Sequence, residues 1–172
     1  MKRCIFAMVL TVSPFLLWSQ ETEYDVEAFV REGFGFTYAE DELSSLSVFY
    51  ENHGQPIEAG ERISVNRMDG VIDKIILLEY ENFFAKFIQY GERNDYKGPK
   101  EELMNISSKD GVSYLYGIRN GMELTELFDL FGKMETFLGN SIWIGNEQGN
   151  IAILYIEEDK LKNIIWLYKM PQ

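Results

Sequence analysis

The sequence predicts an α+β fold made of two tandem repeats, each a helix packed on a small antiparallel sheet. Four pairs of landmarks recur at an offset of 78 or 79 residues: Gly54 and Gly132, Gly60 and Gly139, Gly70 and Gly149, Phe87 and Trp166. In both halves of the chain an amphipathic helical pattern precedes several strand patterns. Apolar positions match at the offset of 79 as well, such as Ile63 with Ile142. A recurrence of this length indicates repeated structural units.

The chain divides into an export signal at residues 1–19 and a single compact domain at residues 20–172. Within the domain, the first repeat covers about residues 24–90 and the second covers residues 109–172. Residues 91–108 are mostly polar and include Gly98-Pro99. We interpret them as a connector between the repeats, with one possible helical turn at Lys100–Met104.

The first 19 residues have the pattern of a cleaved signal peptide. Two basic residues precede an apolar run of 15 residues, Cys4–Trp18. This run is shorter than the ~20 residues that a membrane-spanning helix needs, and Pro14 lies inside it. An uncleaved anchor is the alternative interpretation. Cys4 begins the run, whereas a lipid-attachment cysteine ends one, so we expect a periplasmic or secreted protein with no stable membrane insertion after cleavage.

The charge of the chain bears on its partners. A formal net charge of −12 argues against nucleic acid, because phosphate contacts need clustered Lys and Arg. Removal of the two basic residues of the signal takes the charge to −14. Cys4 is the single cysteine, so the mature chain would lack disulfides, thiol nucleophiles and zinc–thiolate sites.

The first repeat is predicted to contain a lead-in, one helix and a meander of strands. A short strand is expected within Ala28–Phe36 in the lead-in. The helix is expected to begin at Glu40–Glu42, where negative charge favours a helix N-terminus, and to end at Gly54. Strands follow around Ile63–Val65 and over Val71–Tyr80 and Phe83–Tyr90, with turns at Asp69-Gly70 and Glu81-Asn82.

The second repeat is predicted to follow the same order after a strand at Val112–Ile118. Its helix follows Asn120-Gly121, carries an apolar face that includes Leu124 and Leu127, and ends at Gly132. Three strands are expected after it, over Ile142–Ile144, Ile151–Ile156 and Leu161–Lys169. Turns at Gln148–Asn150 and Glu157–Asp159 separate them.

The segment Gly121–Gly132, followed by a Trp-containing strand, a Gly turn and a final strand, resembles units of the beta-lactamase-inhibitor-protein-like fold. Small outer-membrane assembly lipoproteins share this type of unit. The resemblance covers about Tyr38–Tyr168 and implies two helix-plus-sheet units whose sheets form a concave surface that docks another protein. The mature chain lacks the disulfides of the inhibitors and the lipid-attachment cysteine of the lipoproteins, so neither specific function carries over.

Catalytic and metal-binding patterns are weak in this sequence. His53 is the only histidine and precedes Gly54 at a predicted helix end, where a cation suits the helix dipole; a general base or metal ligand is the alternative. The acidic stretches Glu40–Glu42 and Glu157–Asp159 lack the alternating ligands of a calcium loop and are interpreted as solvated surface. No nucleophile elbow or phosphate loop occurs. We therefore expect no enzyme activity, no cofactor and no metal.

Aromatic residues on strands are the candidate binding residues, because Tyr and Trp dominate interface hot spots. Six were selected: Phe87, Tyr114, Tyr116, Trp143, Trp166 and Tyr168. The alternative is that these side chains face the helices and form the core, since the sequence does not reveal which face of the sheet is buried.

Together these patterns predict an exported, non-enzymatic binding module that acts through its concave sheet surface on another envelope or extracellular protein. A carrier of a small ligand or peptide, with its site between the repeats, is the alternative. An enzyme that uses scattered carboxylates would need a close pair of buried acids in one cleft.

Overall fold

In the part of the chain that the structure describes, three short α-helices pack on one face of an eight-stranded antiparallel sheet, so the fold is α+β. The computed structural model describes residues 25–33, 45–93, 97–132, 136–137, 139–145 and 149–168. The helices are α1 (Val26–Glu32), α2 (Leu46–His53) and α3 (Leu124–Phe131). The strands are β1 (Glu58–Val65), β2 (Ile72–Glu79), β3 (Phe83–Gln89), β4 (Glu101–Ser108), β5 (Thr136–Phe137), β6 (Ser141–Gly145), β7 (Ile151–Glu157) and β8 (Lys160–Leu167).

The strands lie in the order β1-β2-β3-β4-β8-β7-β6-β5. Strands β1 to β4 form one meander and β5 to β8 form another, and β4 joins them by pairing with β8. The paired residues there are Ile106 with Trp166 and Ser107 with Ile165. The Ser108 hydroxyl adds a side-chain contact, because it accepts the backbone N–H of Ile164 at 2.8 Å.

A continuous cross-strand row forms the centre of the core: Leu78, Ala85, Ile106, Trp166, Ala152 and Ile144, each paired with the next. Trp166 is fully buried, and its ring centroid lies 5.8 Å from that of Phe29 on α1 and 5.4 Å from that of Tyr114. Its indole Nε1 donates to the carbonyl of Phe29 at 3.2 Å. A Cβ on Gly33 would lie 2.9 Å from that nitrogen, so this glycine is what lets α1 end directly over Trp166.

The helix ends follow local capping chemistry. Ser45 precedes α2 and accepts the N–H of Val48 with its side chain. Gly54 ends α2 with φ 76°, and Gly132 ends α3 with φ 76°, a conformation that glycine adopts without strain. Both predicted helix ends are confirmed, whereas the predicted helix start at Glu40–Glu42 lies outside the described residues.

Most of the predicted strands are confirmed. Strands β2, β3, β6, β7 and β8 match their predicted ranges, with ends that differ by one or two residues; Lys169 lies outside the described residues. The predicted turn at Asp69-Gly70 closes the β1–β2 hairpin, where Asn66 donates to the carbonyl of Val71 at 2.9 Å. The predicted short strand within Ala28–Phe36 is wrong for its described part, which belongs to α1.

The largest difference from the prediction lies in the predicted connector, residues 91–108. Residues 101–108 are β4, a central strand of the sheet, and the helical turn expected at Lys100–Met104 is wrong. Lys86 pairs with Asn105 while Phe87 pairs with Leu103, so Met104 is an extra residue at a bulge. The bulge puts two buried residues, Leu103 and Ile106, three positions apart, and that spacing imitates a helical face.

The strand predicted at Val112–Ile118 is wrong as well. Ser113 and Arg119 form one isolated bridge, and Leu115–Gly117 between them is a turn of 3-10 helix. Tyr116 and Gly117 both have positive φ, which reverses the chain before α3. Tyr114 anchors this reversal, because its hydroxyl donates to the carbonyl of Asn82 at 2.7 Å.

A buried carboxylate fixes the loop that follows β3. Asp73 on β2 is 4% exposed; it accepts the N–H of Gly91 at 2.9 Å and a guanidinium N–H of Arg93 at 3.0 Å. Arg93 also donates to Asp69 at 2.7 Å, so the loop is tied to the β1–β2 hairpin. The hydrogen bond from Arg93 holds the pKa of Asp73 below its usual range.

We therefore expect Asp73→Asn to lower the free energy of unfolding at neutral pH by about 1–3 kcal/mol, the usual penalty for disrupting a buried hydrogen-bonded group. A carboxyl with a lowered folded-state pKa stabilises above its unfolded pKa of about 3.9 and loses that contribution as pH falls through the folded value. Urea unfolding of both proteins from about pH 7 to about pH 2.5 should show the difference shrinking below about pH 4.

The matched control for this prediction is Asp129→Asn on the exposed side of α3, which should leave stability within about 0.5 kcal/mol. A difference between wild type and Asp73→Asn that is absent at neutral pH, or that persists unchanged at the acid end, would contradict the role assigned to Asp73.

Candidate functional site

The face of the sheet opposite the helices carries a second continuous row, which crosses seven strands. It runs through Glu58, Glu79, Phe84, Ser107, Ile165, Ile153 and Trp143, each paired with the next. Because side chains alternate along a strand, these residues point away from the core row. We name this surface the open face and include its further members Leu77, Lys86, Asn105 and Tyr155 in it. From Phe84 to Trp143 the row carries no charge, and Ile153 within it is buried, with 4% of its surface exposed.

Large apolar side chains are exposed on the open face. Phe84, Trp143, Tyr155 and Leu77 are exposed to 38%, 41%, 40% and 43%. Trp143 is held by a hydrogen bond from its Nε1 to the hydroxyl of Ser141 at 3.0 Å. An aromatic side chain with a fixed orientation loses little entropy on binding, which suits it to recognise a partner.

A depression of about 410 Å³ lies on the part of the open face formed by β1 to β4. Leu77 and Phe84 contribute its apolar lining, and Asn105 and Ser107 lie on the β4 side. Gly60 on β1 pairs with Leu77 and leaves open space, because a Cβ there would meet nothing within 4 Å. The depression therefore owes part of its volume to a missing side chain.

Two lysines give the depression its charge pattern. Lys109 donates to Glu79 and to the carbonyl of Tyr80, and its Nζ lies 5.3 Å from the ring centroid of Phe84. Lys109 thus offsets the charge of Glu79 and adds a cation–π contact to Phe84. Lys86 forms no hydrogen bond or ion pair with the part of the chain that the structure describes. It is a cation available to an acidic group of a ligand.

The structure separates the six aromatic residues selected from the sequence. Phe87, Tyr114, Trp166 and Tyr168 are buried among the core residues, with exposures of 0%, 6%, 0% and 8%, so they do not form a binding surface. Burial raises the pKa of Tyr114 and of Tyr168. The site assignment for these four is corrected in favour of the core, the alternative that the sequence left open.

The other two selected residues lie in different places. Tyr116 is half-buried beside the core, and its hydroxyl donates to the carbonyl of Asp25 at 3.1 Å, which ties the 3-10 turn to the start of α1. Trp143 is the one selected residue on the open face. The structure does not bring Trp143 together with the other five.

Several open-face residues are not among the binding candidates that the sequence predicts. Phe84 lies between Phe83, which is buried, and Ala85, also buried, so the run of apolar residues concealed its outward orientation. Tyr155 is outward in the same way between Leu154 and Ile156. The pairing of Phe84 with Ser107 is the signal that identifies these residues, but the sequence predicts a connector, not a strand, at residues 101–108.

The other candidates for chemistry, His53 and the acidic stretch Glu157–Asp159, lie at a helix end and in a turn. His53 is the last residue of α2, with its ring 4.4 Å from Phe49 and 6.1 Å from Phe83. Glu158 and Asp159 form the β7–β8 turn with positive φ, and the carbonyl of Asp159 accepts the N–H of Leu124 at the start of α3. Among the described residues, no group of three or more His, Cys, Asp or Glu is arranged to hold a metal ion.

No protein-family description, curated protein or solved structure matches this chain. None of the helices in the described ranges combines the length and the apolar character that crossing a bilayer requires.

The assignment of the two faces can be tested with two tryptophans. Trp166→Ala should lower the free energy of unfolding by about 3–5 kcal/mol, because it removes a fully buried aromatic side chain. Trp143→Ala should cost less than about 1 kcal/mol, because the indole is 41% exposed and makes one hydrogen bond. Urea unfolding followed by circular dichroism measures both. Similar losses for the two variants would contradict the assignment.

Proposed function

We propose that this protein is an exported, non-enzymatic binding module that recognises another envelope or extracellular protein through the open face. The supporting observation is the set of four large apolar side chains that are 38–43% exposed on the open face: Leu77, Phe84, Trp143 and Tyr155. Patches of exposed aromatic and aliphatic side chains on one surface are typical of protein-interaction sites. Export rests on the signal-peptide pattern at residues 1–19.

We also infer that the domain consists of two tandem units. Helix α2 precedes β1, β2 and β3, and α3 precedes β6, β7 and β8 after the short β5. The two sets of three strands lie on opposite sides of β4, in mirrored order. At the offset of 79 residues, Ile72 in β2 matches Ile151 in β7, and Phe87 in β3 matches Trp166 in β8. Under this proposal the open face spans both units, and a partner would contact each of them.

A second candidate function is the carriage of a small ligand or peptide. The depression beside Leu77 and Phe84 favours it, since Lys86 could bind a carboxylate while the apolar lining contacts the rest of the ligand. The depression lies on β1 to β4, so such a site would belong to one half of the sheet rather than to the boundary between halves.

The binding proposal is tested by affinity capture. The mature chain is immobilised and exposed to envelope and culture-supernatant proteins of its own source. A parallel column carries Phe84→Ala with Trp143→Ala. We expect one dominant partner on the wild-type column and at least about a tenfold loss of it on the double variant, as for truncation of interface hot spots.

The control column carries Ile57→Ala with Met68→Ala, two exposed apolar residues outside the open face. It should retain the partner. Retention of the same partner by the open-face variant, or repeated capture of no protein by the wild type, would contradict the proposal and favour a screen for small ligands by thermal shift.

A further inference from the structure

The outer edge of strand β1 is a second candidate binding surface, distinct from the open face of the sheet. It is the outermost strand of the sheet, β2 is its one partner among the described strands, and all eight of its residues are exposed. Three exposed large apolar side chains lie on β1 or on the adjacent start of β2: Ile63, Val65 and Ile72. They are 71%, 60% and 56% exposed. An edge strand with this composition is a template for pairing with another strand.

The free backbone groups of β1 can be assigned from its pairing with β2. Asn66 donates to the carbonyl of Val71 across the hairpin, and the register continues from Val65 with Ile72 to Glu58 with Glu79. In an antiparallel pair, residues that hydrogen-bond to the partner alternate with residues that do not. The outward N–H and C=O groups of β1 are therefore those of Ala59, Glu61, Ile63 and Val65.

The side chains of the same four residues point to the helix-side face of the sheet, because Ala59 pairs with the core residue Leu78 and Glu61 pairs with Ile76. The described helices do not cover this end of the sheet, since Ile63 and Val65 remain 71% and 60% exposed. Glu61 contacts Lys74 at 3.7 Å with both side chains more than half exposed, so this ion pair is weak.

We propose that β1 accepts an extended segment of another protein by β-strand addition. The segment fits if, on one of its faces, a basic residue lies opposite Glu61 and apolar residues lie opposite Ile63 and Val65. Main-chain hydrogen bonds to the outward groups supply the binding, and these three contacts supply the selectivity. A second copy of this chain fits less well, because two chains with a formal net charge of −12 repel each other.

The probe is a capped heptapeptide with valine at its second and fourth positions and lysine at its sixth, separated by threonines. Paired antiparallel to β1, it places its valines opposite Val65 and Ile63 and its lysine opposite Glu61. It is titrated into the full chain and followed by backbone amide chemical shifts. We expect saturable shifts at the outward amides of β1, and at least about fivefold weaker binding when glutamate replaces the lysine, because like charges then lie opposite each other.

Protein variants separate this proposal from the open-face proposal. Ile63→Lys with Val65→Lys changes two exposed residues and should weaken peptide binding at least about tenfold, through lost apolar contacts and repulsion of the lysine. Met68→Lys, 97% exposed in the turn beyond β1, is the matched control and should bind as wild type does. Phe84→Ala with Trp143→Ala should also bind the peptide normally, because it changes the open face only.

Three outcomes would overturn the proposal: no saturable shifts at β1, equal affinity for the lysine and glutamate peptides, or undiminished binding by the Ile63→Lys, Val65→Lys variant. A dilution series of the protein without peptide tests whether a second copy of the chain occupies the edge of β1. Concentration-dependent shifts confined to β1 would assign the edge to a second copy of the chain instead of a basic segment.

Discussion

The pairing between β4 and β8 is the contact on which both faces of the sheet depend. Ile106 with Trp166 and Ser107 with Ile165 are the residue pairs that join the two meanders, and the Ser108 hydroxyl reinforces them by accepting the N–H of Ile164. Because neighbouring residues of a strand point to opposite faces, this junction extends the core on one side and the open face on the other. A shift of register by one residue would exchange them and expose Trp166.

The core side of the junction between β4 and β8 packs against helix α1. Trp166 occupies the centre of its row between Ile106 and Ala152, and its ring packs against Phe29 of α1. On the other side of the sheet, the uncharged row from Phe84 to Trp143 crosses the same junction without a covering helix among the described residues. In the proposed complex, the partner would contact two meanders that this hydrogen-bonded junction already holds together, which limits the entropy lost on association.

The helices and strands of this fold were more predictable from the sequence than which residues lie on each face of the sheet. The ends of α2 and α3 were predictable because Gly54 and Gly132 mark positive-φ caps, and the apolar strands β2 and β3 were predictable from their composition. Strand β4 was not, because the bulge at Met104 replaces its period of two with a spacing of three. The open-face residues were unpredictable for the same reason, because the pairing of β3 with β4 places Phe84 on the open face and Phe83 on the core face.

Oxidative footprinting can show whether the open face contacts a protein partner. The protein would be labelled with hydroxyl radicals in the presence and absence of envelope and supernatant proteins of its source, and the modified residues identified by mass spectrometry. We expect Trp143, Tyr155 and Phe84 to be oxidised in the isolated protein and protected when the partner is present, while buried Trp166 stays unmodified in both samples. Protection confined to the helix side, with these three residues equally oxidised in both samples, would contradict the proposed contact.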